Sequence, residues 1–585
     1  MTVLEKSLWI LLGAVSVFFH LYLVFSGMIP HMVSRPVHMA LAAPWALVFI
    51  AKGRFNRWSG IALTLAVLFC CSYIVLNEEL LSDQYGSLYG NLQLAIAIIL
   101  LAATLEMARR CISWPLPTVA LIALIYGVLG EYIPGEFGYP GLPLRSFLGT
   151  LTIAEGGLWG QLTGVSVEIV SIFVIMGAVL NAGEAGQGFM NIATAVAGRL
   201  KGGAAKVSVL SSALFGSISG SASANVASTG AITLPAMIKL NYPRSLAGAV
   251  EAVASSGGQI MPPLMGAGAF VMVELTGVPY NKIMGAALLP ALLYFLTVWV
   301  GINAFALRYD LKGVAKENLP DRKSVFRTSM FFFVPFIVLL ERMFVGGYTP
   351  QYAACVAILT AFCLLCVDIN FTPSLTRTLQ RLQSVALNCG KQISTIASII
   401  ICASIVIGVL GQTGLGVKIT SLILSGSGHY LWPALVLTGL ACLVLGMEVP
   451  TTAAYVICVS VAGPALQELG IEPLISHLFV FWFALLSTIT PPVCGAVFIA
   501  AGMVGENWLK IAGSAMALGI GLYLIPLGMV ANPDLIRLFE NPAPALLVFF
   551  KMGVSLAAVS YGIIAPKAPI VRASLVVAGL IGIFI

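Results

Sequence analysis

Charge is scarce in this chain. Asp, Glu, Lys and Arg make up only 9% of the 585 residues, against 59% hydrophobic, and the mean hydropathy is +1.00. Soluble domains carry about 25% charge, so a soluble fold is excluded and a polytopic membrane protein is expected. The eleven cysteines are scattered with no pair at metal-ligand spacing, and Cys70 and Cys71 are merely adjacent. Buried free thiols are therefore expected, and disulfides are not. The five histidines (His20, His31, His38, His429 and His477) are dispersed. His31 and His38 are assigned to a loop between spans, and no metal, haem or other cofactor is assigned. No Walker motif is present, so the chain has no means of using ATP itself. The first apolar stretch lacks a small-residue cleavage site followed by a soluble domain, and reads as a retained anchor. The net charge of +7 implies no nucleic acid, because the basic residues serve topology.

What the chain has in abundance is apolar runs long enough to span a bilayer, about 20 residues each. They are placed at 7–28, 38–51, 58–76, 91–108, 112–130, 165–182, 246–274, 284–306, 326–345, 350–367, 393–412, 474–503, 510–530, 544–564 and 569–585. Two further apolar blocks, 205–238 and 430–466, are broken in the middle and read as re-entrant hairpins. With the N-terminus in the cytoplasm and alternating spans, most of the 30 Lys and Arg fall in cytoplasmic loops, the richest being Arg308 to Arg327. That bias is the one cytoplasmic loops carry. The outer loops are partly acidic (Glu78, Glu79, Asp83, Glu131, Glu136, Glu468, Glu472). Depletion of positive charge accounts for this, and so does a docking face for a partner.

The most informative feature is a duplication. Pro235 and Pro262 recur as Pro464 and Pro491, a shift of 229 that also carries Pro263 onto Pro492, Gly266 onto Gly495 and Ala267 onto Ala496. Five crossings separate the two copies, so they face opposite ways. Inverted repeats of Gly/Pro-interrupted spans are the construction of many secondary transporters, with the binding site at the interruptions.

Each copy has two polar breaks. The hairpin tips are Gly216-Ser-Ile-Ser-Gly-Ser-Ala-Ser-Ala-Asn225 and Gly446-Met-Glu-Val-Pro-Thr-Thr452. The mid-span breaks are Ser255-Ser-Gly-Gly-Gln-Ile-Met-Pro-Pro263 and Ser487-Thr-Ile-Thr-Pro-Pro492. Irregular backbone at membrane depth persists only where protein or a polar cavity surrounds it. A broken helix exposes N–H groups at one half, which attract a carboxylate, and C=O groups at the other, which attract a cation such as Na⁺. The candidate substrate residues are Ser219, Ser221, Ser223, Asn225, Thr451 and Thr452. The candidate Na⁺ residues are Ser217, Gly220, Ser256, Gly257, Met261, Glu448, Ser487, Thr488 and Thr490. The plainer reading is that these small residues let helices pack closely; duplication at a fixed offset favours the site.

Other charged residues inside spans carry readings of their own. Glu251 serves either coupling or a buried partner, or Arg244 on the same helix draws it toward the inner interface. Glu168 and Glu184 read as interfacial, Glu274 as solvated, and Lys551 as one half of a structural ion pair.

Four blocks resemble a known family: GSISGSASANVASTGAITLPAM (216–237), GAVEAVASSGGQIMPPLMGAGAFVMVELTGVPY (248–280), LGMEVPTTAAYV (445–456) and STITPPV (487–493). They are similar to the fused permease of tripartite ATP-independent periplasmic (TRAP) transporters, of the type that works with TAXI binding proteins. The resemblance covers roughly residues 110–530. It implies an elevator-type secondary transporter of the bacterial inner membrane. It further implies Na⁺-driven uptake of a small organic anion, such as a dicarboxylate, glutamate or 2-oxoglutarate, delivered by a periplasmic binding protein. The family pattern has Gly where this chain has Glu448, which leaves that carboxylate to strengthen a cation site, bind a proton, repel an anion or face water.

The expected organisation is an all-α polytopic membrane protein, with about fifteen spans and two re-entrant hairpins. Its parts are a small-subunit-like scaffold (1–110), a connecting helix and outer loop (111–164), repeat one (165–306), linking spans (307–392), repeat two (393–530) and C-terminal spans (531–585). A monomer in the lipid bilayer suffices for this plan. The alternatives are a stand-alone cation-coupled anion transporter and a membrane-embedded transferase. A transferase would cluster Asp, Arg and His at one membrane face, and this chain instead repeats Ser, Thr, Asn and Gly at mid-span.

Overall fold

The computed structural model describes residues 3–27, 29–446, 449–492 and 494–585, with backbone alone at Ile218, Ser219 and Asn318. Among these residues the fold is helical throughout, save one isolated bridge between Val367 and Pro373. Among the described residues, ten helices are long and apolar enough to cross a membrane. The other five expected spans have identifiable reasons for falling short. Two are broken mid-way, into Arg244–Gly257 with Ala267–Thr276 and Pro473–Leu486 with Gly495–Val504. The remaining three have short α-helices: His31–Pro44, which continues as a wider turn through Trp45–Phe49, Pro350–Leu365 and Pro569–Phe584.

The longest element is Leu375–Thr413, 39 residues, or about 58 Å at 1.5 Å per residue. It packs against Val3–Ser26, His31–Pro44, Gly90–Cys111, Pro115–Leu129 and Ser171–Ala182. It therefore joins the N-terminal helices to the rest. Small residues make the close approaches. A side chain on Gly13 would strike the Ala386 carbonyl, and one on Gly390 would enter the Trp45 ring. The buried Ser394 hydroxyl donates to the Ala42 carbonyl at 2.8 Å. The division expected at residue 393 falls inside this helix, because Arg377, Arg381 and Lys391 read as loop charge. Arg381 instead reaches Glu184 at 2.5 Å, so Glu184 holds an ion-pair partner.

The histidine expectation is corrected. His31 and His38 share one helix rather than a loop. Pro30 precedes the helix and Pro36 sits in its second turn. His38 is buried between His20 (2.8 Å) and the Ser166 hydroxyl (3.0 Å). Lys551 is corrected too: its ammonium donates to the amide oxygen of Asn532 at 2.7 Å, and no carboxylate pairs with it among the described residues.

The duplication extends to whole elements. Ala222–Lys239 shifted by 229 is Thr451–Glu468, and Arg244–Gly257 shifted by 229 is Pro473–Leu486. Both Pro262-Pro263 and Pro491-Pro492 are cis. Ala185–Ala197 and Leu415–Gly426 form another matched pair, too short and too polar on one face to be expected as spans.

Candidate functional site

Hairpin one is Gly203–Ser219 followed by Ala222–Lys239. The reversal needs a residue in the left-handed region, and Gly220 supplies it at φ 61° without the Cβ penalty other residues meet. Ser221 caps the second arm, its hydroxyl accepting from the Ala224 N–H at 3.4 Å. Hairpin two is Leu431–Leu445 followed by Thr451–Glu468, with Pro450 fixing the entry to its second arm. Thr451 and Thr452 are half-buried in its first turn. Glu448 and the side chain of Ser219 lie outside the described residues.

The four broken ends meet in an ordered way. In the first copy, the C-terminal turn of Gly203–Ser219 rests on that of Arg244–Gly257: a Cβ built on Gly216 falls 2.5 Å from the Gly258 Cα. In the second copy the same contact recurs between Gly446 and Ser487, where a Cβ on Gly446 falls 3.0 Å from the Ser487 Cβ. Each contact brings together two helix C-termini, where carbonyls lack N–H partners and the dipoles present negative charge. The helix N-termini gather separately. A Cβ on Gly220 falls 3.4 Å from the Gly266 Cα, and one on Gly495 falls 3.8 Å from the exposed Ser223 hydroxyl. The starts of Ala222–Lys239, Ala267–Thr276 and Gly495–Val504 therefore lie side by side, with their free N–H groups and positive dipole ends.

The copies also interlock. Ala222–Lys239 packs on Gly495–Val504, and Thr451–Glu468 packs on Ala267–Thr276, so each hairpin's second arm lies on the other copy's broken span. One hydrogen bond joins the two breaks: Ser256 Oγ to Thr488 Oγ1, 2.7 Å. Around it, Thr490 pairs with the Tyr523 hydroxyl at 2.6 Å, and Ser487 donates to the Ala484 carbonyl at 2.8 Å. Tyrosines satisfy carbonyls freed by the breaks. Tyr280 donates to the carbonyls of Pro263 (2.8 Å) or Leu264 (2.7 Å), and Tyr294 to that of Val253 (2.7 Å). Gly257 lies so close to the Tyr294 ring that a side chain there would overlap it.

Some expected site groups are already engaged within the protein. Asn225 is fully buried, and its amide donates to the Ser212 carbonyl at 3.0 Å, tying the hairpin arms together. Ser217 is buried and donates to the Leu214 carbonyl at 2.8 Å. Met261 is half-buried beside the paired prolines.

Glu251 and Arg244 do not pair with each other. Arg244 donates to the Val504 carbonyl at 3.2 Å. Glu251 is fully buried and faces five hydroxyls: Ser208, Ser212, Thr229, Thr233 and Ser255. Sequence reasoning did not connect these hydroxyls. The signal was there: Ser208/Ser212, Thr229/Thr233 and Glu251/Ser255 are each i,i+4 pairs, which lie on one face of a helix.

Comparison with known proteins agrees with this architecture. The family model described as "Tripartite ATP-independent periplasmic transporter, DctM component" matches residues 98–543. The chain is 26% identical over 337 residues to the C4-dicarboxylate TRAP transporter large permease protein DctM of Pseudomonas aeruginosa, covering 57% of this chain and 77% of that one. It is 24% identical over 482 residues to the isethionate TRAP transporter permease protein DctMQ of Oleidesulfovibrio alaskensis, covering 79% and 73%. It is 22% identical over 385 residues to the sialic acid TRAP transporter large permease protein SiaM of Vibrio cholerae, covering 65% and 87%. These relatives are named as transporter permeases rather than enzymes. With paired helix breaks at its centre and a family match over most of its length, this multi-pass membrane protein belongs to the DctM family of tripartite ATP-independent periplasmic transporters.

Proposed function

We propose that the protein takes up a small organic anion by secondary active transport coupled to Na⁺, receiving its substrate from a periplasmic binding protein of the TAXI type. The observation that carries this reading is the sorting of broken helix ends. Two separate pairs of C-termini, at Gly216/Gly258 and Gly446/Ser487, suit two cations, and the N-termini gathered around Gly220, Ser223, Gly266 and Gly495 suit a carboxylate. Ser256, Gly257, Ser487, Thr488 and Thr490 line the cation side with hydroxyl and carbonyl oxygens. Ser221, Ser223, Thr451 and Thr452 line the anion side. The interlocked hairpins and broken spans move as one body against a scaffold made of the N-terminal helices and Leu375–Thr413, in the elevator manner. The N-terminus faces the cytoplasm, which leaves the basic loops inside the cell.

The relatives are named for different anions: C4-dicarboxylate, isethionate and sialic acid. A carboxylate such as a dicarboxylate, glutamate or 2-oxoglutarate is the substrate class to try first. The test is uptake into proteoliposomes, with and without an imposed inward Na⁺ gradient and a purified binding protein. Uptake is expected only with both. Uptake indifferent to the binding protein would make the chain a stand-alone transporter, and uptake indifferent to Na⁺ would remove the cation sites.

A further inference from the structure

The cluster at Glu251 lies outside the site just described, and its chemistry is different. Three helices each bring one pair of polar side chains to a single point inside an apolar bundle: Gly203–Ser219 brings Ser208 and Ser212, Ala222–Lys239 brings Thr229 and Thr233, and Arg244–Gly257 brings Glu251 and Ser255. Ser208 lies 2.7 Å from one carboxyl oxygen, which Thr233 also contacts. Thr229 contacts the other oxygen, with Ser212 at 3.3 Å and Ser255 at 3.4 Å.

Among the described residues no cation pairs with this carboxyl. Every titratable group on the elements packed around it points elsewhere. Lys206 places its ammonium 4.9 Å from the Trp299 ring centre. Lys239 is exposed at its helix end, Arg244 donates to Val504, and Lys510 pairs with Glu506 at 3.3 Å. On Tyr280–Tyr309, Lys282 is exposed, Tyr280 and Tyr294 donate to backbone carbonyls, and Arg308 lies against Tyr309. An ionised carboxylate without a cationic partner inside an apolar bundle is costly.

Counting protons points the same way. Each hydroxyl has one proton to donate. Thr229 also has the Asn225 carbonyl at 2.8 Å, and Thr233 has the Thr229 carbonyl at 3.0 Å, the i−4 acceptors that helical Thr uses. When either threonine gives its proton to that carbonyl, its oxygen faces the carboxyl as an acceptor, and only a protonated carboxyl can donate to it. The second copy keeps none of this: at a shift of 229, Thr229, Thr233, Glu251 and Ser255 become Cys458, Ala462, Val480 and Ala484.

We propose that Glu251 is a proton-binding site. It carries a proton in the conformation described and exchanges it with water in another conformation, so that a proton accompanies the Na⁺-coupled cycle; its part in transport, though not its protonation, rests on the function proposed above.

Infrared titration of the purified full-length protein in lipid, without substrate, tests the protonation alone. The carbonyl stretch of a protonated carboxylic acid is expected in the wild type at about pH 7, shifted in D₂O and absent from Glu251→Gln. A band that persists unchanged in Glu251→Gln, or its absence from the wild type down to about pH 5, overturns the proposal. Loss of the band on adding NaCl at constant pH makes the site one for Na⁺ and overturns it equally. If Glu251→Gln does not fold, Ser208→Ala takes its place: removing one hydroxyl is expected to shift the band and its titration midpoint, and an unshifted band counts against the assignment. In proteoliposomes with 2-oxoglutarate as the trial anion, Glu251→Gln is expected to lose acceleration by an inward proton gradient while keeping its response to Na⁺. Failure of all uptake there sinks the transport reading and leaves the infrared result standing.

Discussion

Single glycines decide whether the broken ends can meet. Gly216 and Gly258 are in backbone contact, with each one's missing Cβ falling 2.5 Å from the other's Cα. Neither neighbour is a flexible side chain that can swing away. Gly258→Ala is therefore expected to destabilise the protein by about 1–3 kcal/mol, the usual cost of overpacking a tight interior. Gly513→Ala is the control, because nothing lies within 4 Å of its Cβ position. Thermal unfolding in detergent should lower the midpoint of the first variant and leave the second unchanged or slightly raised. Which residues would be polar was legible at this scale, and what their polar atoms do was not. Asn225 and Ser217 read as ligands, and each also donates to a carbonyl within hairpin one, a bond set by the helix turn or the neighbouring arm.

Hairpin one is built to have a fixed tip and a short bend. Gly220 turns the chain, and Ser221 closes the second arm by accepting the Ala224 N–H. Ser221→Ala removes that cap at a cost of about 0.5–2 kcal/mol. Faster amide exchange is expected in the first turn of Ala222–Lys239, with the rest of the bundle unchanged. Uptake should weaken in Ser221→Ala and in Thr452→Ala without loss of folding. Exchange that rises equally in Arg244–Gly257 would mean that the tip is not an independent unit. Element boundaries in the repeats were readable from the 229-residue shift, since Gly and Pro punctuate helices locally. Ala185–Ala197 and Leu415–Gly426 were not, because short amphipathic helices look like loops beside uniformly apolar spans. The unbroken course of Leu375–Thr413 through Arg377, Arg381 and Lys391 was equally hidden: the charges that suggested a loop find partners such as Glu184 across the fold.

The whole molecule is held together along Leu375–Thr413. The N-terminal helices dock there through Gly13 against Ala386 and through Trp45 against Gly390, and Trp9 adds an aromatic contact 5.0 Å from Trp45. In lipid such contacts rest on close packing and not on hydrophobic transfer. Gly390→Val is expected to loosen the N-terminal helices from the remainder. Limited proteolysis should then cut more readily between Ile112 and Pro115, and uptake should fall even though every central site residue is intact. Unchanged protease resistance together with unchanged uptake would show that the close approach at Gly390 is dispensable.

Composition alone made this a membrane protein, and the proline spacing alone made it a duplicated one. Both conclusions follow from local properties: a segment's transfer free energy and the positions where a helix has to stop. Where the two copies touch was beyond the sequence. The Ser256–Thr488 hydrogen bond spans residues 232 positions apart, and the sorting of C-termini from N-termini depends on how four half-helices cross. The hydroxyl nest around Glu251 belongs to the same class. Each pair was visible on its own helix, but their convergence on one carboxyl is set by the packing of three helices, which only the tertiary structure decided.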